Sequence, residues 1–528
     1  MKRRDFVRSA SLSLSVPVIL GGSAVRAFGK TNAVDALLAN AAFEDRVLVL
    51  VRLNGGNDGL NTFIPLDQYS NLSNARGSIL IPENTLQNTL IGGKNAFHPI
   101  MTGFKELYDT EKLAIIQSVG YPNSNGSHFR STDIWTSATA SDVFDPTGWM
   151  GRYLDNNYPG FPTDYPNEEV PDPLAITIGN QVSQTCQGPS VNMSMALANL
   201  NGSQTLLEQD GNIPDTPYGH ELAFLRQSFE QTNKYNTSIQ TAAQLAPANL
   251  SEQYPQVGNT LANELRIVAR LIAGGLKTKI YVVDLGGFDT HANQVQVGQS
   301  PEAAGRHVEL LQRVSVAISA FQDDLKLFGL EDRVLGMTFS EFGRRIKAND
   351  SYGTDHGTAA PLFLFGSQVN SQIFGENPII PDEVETRENL PMQYDFRAVY
   401  SSVLSGWFGA SEEEVKGVLF GESYDYIPIV KRLPTSTDDL LYSGVSVSQN
   451  YPNPFRASTL IPLELDRAAE VQIKVYDCMG QEIATVLHKR LSGGKHEIPF
   501  EAHGLAAGNY YYRTQVGAHQ QVKLMQVR

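Results

Sequence analysis

Cysteine is nearly absent from this chain of 528 residues: Cys186 and Cys478 are the only two. They fall in segments of different character, so neither a disulfide framework nor a cysteine-ligated metal centre is expected. Positive charge is scarce as well. The formal net charge is −15 and no basic block follows the first few residues, which argues against a surface that holds nucleic-acid phosphates or anionic lipid. No apolar run is long enough for a transmembrane span. What the chain does have is 45 Gly and 27 Pro in a 41% hydrophobic, 18% charged composition. That is a globular chain with many turns, long enough for two or more domains.

The N-terminus opens Lys2-Arg3-Arg4-Asp5-Phe6-Val7, passes through a short apolar stretch from Ala10 to Ala24, and reaches Val25-Arg26-Ala27. A basic start, a short apolar centre and a small-residue cleavage site mark residues 1–27 as an export signal. The paired arginines resemble a twin-arginine signal; a general secretory signal shares the basic start.

From Arg46 one grammar repeats: a buried strand, a Gly-rich polar loop, a helix. RVLVLVRL (46–53) empties into Asn54-Gly55-Gly56-Asn57-Asp58-Gly59, and KLAIIQSV (112–119) leads to a loop carrying Ser127, His128 and Arg130. KIYVVDL (279–285) runs into Gly286-Gly287-Phe288-Asp289-Thr290-His291. The stretch 332–366 holds Ser340-Glu341-Phe342-Gly343-Arg344, then Asp355-His356-Gly357, then an apolar run from Pro361. This predicts an α/β fold with a mostly parallel sheet, in which ligands gather at the carboxyl ends of the strands. Residues 158–173 and 232–259 read as surface insertions.

Each loop alone has a bland reading. Asp58 can belong to an ordinary Asn/Gly turn, Ser127 can be a helix N-cap, and Glu341 can simply pair with Arg344. Together, three carboxylates (Asp58, Asp289, Asp355) and imidazoles His128, His291 and His356 can form one or two divalent-metal sites; zinc, calcium, magnesium and manganese all remain open. At such a site Ser127 is a candidate nucleophile, Arg130 and Arg344 candidate partners for a substrate anion, and Glu341 a ligand or an orienting group for a histidine.

LNGGNDGLN, SHF, GGFDTH, SEFGR and TDHG, in this order and followed by QYDFRAVY (393–400), resemble the bacterial domain-of-unknown-function 1501 family, placed in the alkaline phosphatase and sulfatase superfamily. The resemblance implies an α/β/α sandwich and an ancestral site that hydrolyses phosphate or sulfate esters with divalent metals. It implies metal ligation by Asp58, Asp289, His291, Asp355 and His356, with Ser127 at the nucleophile position. The superfamily's last histidine has no evident match: either His128 or His98 substitutes, or a metal site is lost. A non-catalytic surface protein that binds glycans or a partner is the alternative.

The alkaline-phosphatase-like region is expected over 28–434 and a polar linker over 435–444. Short alternating runs over 445–528 predict a small all-β sandwich of about seven strands. Its NYPNPF (450–455), VYD (475–477) and LAAGNYYY (505–512) closely resemble the type IX secretion sorting domain of Bacteroidetes-like bacteria. That resemblance implies the type IX machinery as partner and passage through the periplasm to the outer-membrane surface or the medium. The expected substrate is a small anionic ester or a sulfated or phosphorylated glycan, with no nucleic-acid partner.

Overall fold

The sequence VLVLVRLN of Val47–Asn54 (β1) sits at the centre of a nine-stranded sheet. A computed structural model describes residues 45–200, 233–431 and most of 445–528, with short stretches at 18–20, 23–25, 216 and 219. The export signal over 1–27, save strand segments at Val18–Leu20 and Ser23–Val25, and the linker over 435–444 lie outside the described residues. Two compact units emerge, Phe43–Lys431 and a second comprising Arg432–Arg528 together with Met1–Ala42.

In the first unit the further strands are Leu113–Gly120 (β2), Ala175–Ile178 (β3), Ser194–Leu197 (β4), Ile280–Gly286 (β5), Val334–Phe339 (β6), Arg344–Ala348 (β7), Thr354–His356 (β8), Ala360–Phe365 (β9), Ile373–Phe374 (β10) and Tyr394–Asp395 (β11). The sheet order is β10-β2-β9-β6-β1-β5-β3-β4, with β11 also on β2. All pairings are parallel except those of β9, which runs against β6 and β2. The sheet is thus mostly parallel, as expected. The apolar run from Pro361 is its one antiparallel strand, so it begins at the edge where its neighbours end.

Because β1 is buried on both faces, alternate residues enter two cores. Val47, Val49, Val51 and Leu53 join Phe104 of Thr102–Asp109 (α2), Leu265 and Val268 of Thr260–Ala273 (α5), and Val314 and Phe321 of Arg306–Leu327 (α6). Leu48 and Leu50 join Ile134 and Trp135 of His128–Ser137 (α3), Trp149 and Leu154 of Trp149–Asn157 (α4), Val399 and Val403 of Phe396–Gly406 (α7), and Val415 of Glu412–Val418 (α8). Helices on both faces make an α/β/α sandwich, and each such buried side chain contributes roughly 1.5–3 kcal/mol. Tyr235, Ile239 and Ala242 are also buried in the first core. The described part of the polar stretch 232–259 is therefore not merely a surface insertion.

Over residues 445–527 the described part of the second unit holds seven strands, in a three-stranded and a four-stranded antiparallel sheet. Ser458–Leu465 alternates exposed and buried positions, sending Ile461, Leu463 and Leu465 into a core with Val471, Ile473 and Tyr512. No helix among the described residues is long and apolar enough to cross a membrane.

Candidate metal centre

Strand register sets the site. Leu53 and Asn54 of β1 lie opposite Leu285 and Gly286 of β5, and Arg52 opposite Phe339 of β6. Three loops therefore leave the same sheet edge at the same level. Gly55 has φ +125°, and a Cβ there would fall 2.2 Å from the Asp289 nitrogen. Only glycine lets the loop after β1 cross the loop after β5 closely enough to hold Asp289 at the centre.

Three imidazoles meet Asp289. His356 Nε2 lies 3.1 Å and His291 Nε2 3.2 Å from Asp289 Oδ1, and His128 Nε2 lies 3.4 Å from Oδ2. Their other ring nitrogens are all held: His128 Nδ1 by Glu341 Oε1 at 2.8 Å, His291 Nδ1 by Asp355 Oδ1 at 3.0 Å, and His356 Nδ1 by the Gly126 carbonyl at 2.8 Å. A carbonyl or carboxylate can only accept, so each Nδ1 is positioned to donate, and each Nε2 is turned toward Asp289. His128 Nε2 is buried with no hydrogen-bond partner. The Nε2 atoms of His291 and His356 face each other at 2.8 Å, close enough to share a proton.

Electrostatics agree with a ligand set. Burial alone would raise the Asp289 pKa, but hydrogen bonds from Arg344 and His356 hold it well below the usual carboxylate range. Burial keeps His356 below the ordinary imidazole value, outweighing the Gly126 and Asp289 hydrogen bonds. Donors that are neutral imidazole and ionised carboxylate are what a divalent metal requires. His128, Asp289 and His356 each bring a ligand atom within 4.8 Å of the others, with Glu341 and the Gly126 carbonyl behind the two rings, a donor set that suits a divalent ion of the zinc type; His291 stands against Asp289 and His356 outside that set.

The expected residues separate into those that meet here and those that do not. Asp289, His291 and His356 converge, and His128 supplies the third imidazole. His98 does not substitute: it is buried, with Nδ1 accepting the Ile100 N–H at 3.2 Å. Asp355 stands one shell out, its carboxylate shared by His291, Asn349 and Arg345. It belongs to the β7–β8 hairpin rather than to an open loop.

Asp58 is engaged elsewhere. Fully buried, it accepts from Arg76 through both oxygens at 2.9 Å and from Gln294 at 2.6 Å. Arg76, on Tyr69–Arg76 (α1), thus places a guanidinium against the carboxylate expected to hold metal.

The two arginines proposed for a substrate anion differ in how they are engaged. Arg344 is 1% exposed and donates to the carbonyls of Gly55, Gly56, Phe288 and Thr354 and to Asp289 Oδ1. It ties the loops together. Arg130 donates to the carbonyls of Ala140, Ser141 and Val143 and so closes the turn after α3.

Ser127 is the N-cap residue of α3, but its side chain caps nothing and it is exposed. Glu341 is buried, accepting the Gly55 N–H at 2.9 Å as well as His128 Nδ1. Sequence reasoning missed Arg76, Gln294, Asn349 and the Gly126 carbonyl, none of which stands in a motif that announces its role.

The model of a family described as protein of unknown function (DUF1501) matches residues 118–393, and that of a secretion system C-terminal sorting domain matches residues 449–528. No curated protein matches. Among solved structures, the chain is similar to the lipoteichoic acid synthase LtaP from Listeria monocytogenes, at 10% identity over 80% of this chain and 86% of that one, with a TM-score of 0.30. It is also similar to an alkaline phosphatase superfamily protein from Vibrio parahaemolyticus, at 10% identity over 89% and 85%, TM-score 0.31. A phosphonate monoester hydrolase of Agrobacterium radiobacter is similar at 9% identity over 86% and 89%, TM-score 0.32.

Proposed function

Since the chain belongs to the DUF1501 family of proteins of unknown function and ends in a secretion sorting domain, we propose from the site itself that it is an exported, metal-dependent hydrolase of phosphate or sulfate esters. One observation carries this reading: three imidazoles, each fixed through Nδ1, present Nε2 to one ionised carboxylate. A divalent ion held by His128, His356 and Asp289, with His291 beside them, would supply Lewis acidity toward an anionic ester oxygen.

The chain's own residues do the rest. Glu341 and Asp355 orient His128 and His291 and keep their protons on Nδ1. Arg344 holds Asp289 ionised while pinning the loops around it. Ser127 offers an exposed hydroxyl on the loop that the cluster grips through the neighbouring Gly126 carbonyl, and it is the residue proposed to attack the ester. With Asp58 neutralised by Arg76, the reading is of one metal ion rather than two. The same engagement of Asp58, Arg130 and Arg344 favours, as second reading, a protein that keeps the fold and binds glycans without turnover.

Metal analysis of purified protein, repeated on His128→Ala and His356→Ala, tests the centre. About one equivalent of metal, lost in both variants, is expected. Metal-free protein whose stability ignores chelator would sink the proposal. Screening aryl phosphates and sulfates then separates the readings, because a metal-loaded protein inert toward both leaves the binding protein. Turnover that survives Ser127→Ala would remove that residue as nucleophile. The C-terminal domain directs export to the cell surface or beyond; transit through the periplasm after removal of 1–27 completes the proposed route.

A further inference from the structure

Beside the metal centre runs an open groove of about 530 Å³, lined by Gly286, Gly287, Asn293 and Gln296 and by Arg306, Glu309 and Arg313 of α6. Arg306 and Arg313 are seven residues apart, two helical turns on one face. Among the described residues neither guanidinium makes a hydrogen bond or ion pair, and neither do the side-chain amides of Asn293 and Gln296. By contrast Arg76, Arg130, Arg152 and Arg344 in the same unit are all engaged. The first helix N–H groups are not the attraction, since those of Arg306 and His307 already donate to the carbonyls of Asn293 and Gln294.

The groove is close to the reacting position. Arg306 Nη2 lies 3.4 Å from where a Cβ on Gly287 would stand, and Gly287 precedes Asp289 by two residues. The guanidinium is therefore on the order of 10 Å from the backbone of the metal-binding aspartate, given the reach of an extended chain.

We propose that this groove is a subsite for a second sulfate or phosphate group on the same substrate molecule, so that the protein selects multiply charged esters such as a polysulfated or polyphosphorylated saccharide. It rests on the ester-hydrolase reading for the identity of the reacting group. The overall charge of −15 opposes any anion at long range, so recognition has to come from local, unengaged guanidinium groups with planar, forked donors. The free amides of Asn293 and Gln296 suit the hydroxyls of a saccharide between the two charged groups. Glu309 is the opposing charge on the same face and leaves the groove net positive.

The test is binding of a disulfated and a monosulfated disaccharide to the full, metal-loaded chain, compared with Arg306→Gln/Arg313→Gln and with Glu309→Gln. Wild type is expected to bind the disulfated sugar about tenfold more tightly or better, from one or two charge-assisted contacts. The double arginine variant loses that preference while its affinity for the monosulfated sugar is unchanged, and Glu309→Gln strengthens it. Equal affinities in the wild type, or equal losses for both sugars in the arginine variant, would overturn the proposal. Binding preference without any turnover would remove the hydrolase reading and leave the subsite standing.

Discussion

Glu341 touches the proposed metal centre only through His128, where its carboxylate can only accept a hydrogen bond from Nδ1. Glu341→Gln keeps the shape but replaces an obligate acceptor with an amide, so the proposed metal affinity is expected to fall about 10- to 100-fold with little loss of fold. Competition with a chelating dye measures this, and unchanged affinity would show that the Nδ1 contact is incidental. At the same scale, burial lowers the His307 pKa to about 4 and that of His98 to about 3. Both folded values lie below the ordinary 6.5, so the unfolded chain binds more protons in acid. Stability is thus full above about pH 6.5 and falls as pH drops toward 4, by about 2 kcal/mol for His307 between pH 7 and pH 5. Denaturant titrations in chelator at the two pH values, on wild type and His307→Gln, isolate this contribution; an identical pH slope in the two proteins would contradict it.

Among elements, the loops after β1, β5 and β6 are held at their crossing by Arg344, and β7 presents that residue opposite His356. Removing its guanidinium leaves several buried carbonyls without a donor. Arg344→Ala is therefore expected to lower stability by about 3 kcal/mol or more, a cost of broken buried pairing rather than of lost substrate contact. Chemical denaturation checks it, and a stable variant with only a raised KM would return Arg344 to the role of anion partner. Gly55→Ala acts on the same crossing. Its Cβ collides with the backbone of Asp289 at a positive φ, so a loss of about 2 kcal/mol together with weakened metal binding is expected.

For the whole molecule, each compact unit has a hydrophobic core drawn from its own residues. Ending the chain after Lys431 is expected to leave the first unit folded, with a melting temperature within a few degrees of the parent. In cells the truncated chain should fail to reach the surface. Calorimetry and cell fractionation read the two effects separately, and unfolding on truncation would contradict independent cores.

Much of this was legible in sequence because local patterns carry it. Continuous β-branched runs can only be strands buried on both faces, and VLVLVRLN behaves so. Alternation with turns over 445–528 can only line a one-sided sheet. The Gly-rich loop after β5 likewise placed Asp289 and His291 at one edge, since parallel strands end on one side, while His356 reaches it from the β7–β8 hairpin. The tertiary structure alone decided which charges meet. Asp58 and Asp289 follow similar loops, yet Arg76 from α1 closes on the first while three imidazoles gather at the second. Arg344 reads from sequence as a candidate anion partner and Arg306 stands in no motif, yet packing buries the first among carbonyls and leaves the second open. The third imidazole came from His128, because its partner Glu341 lies 213 positions away. Hydrogen bonds across such distances depend on register and layer packing, which no local window of residues contains.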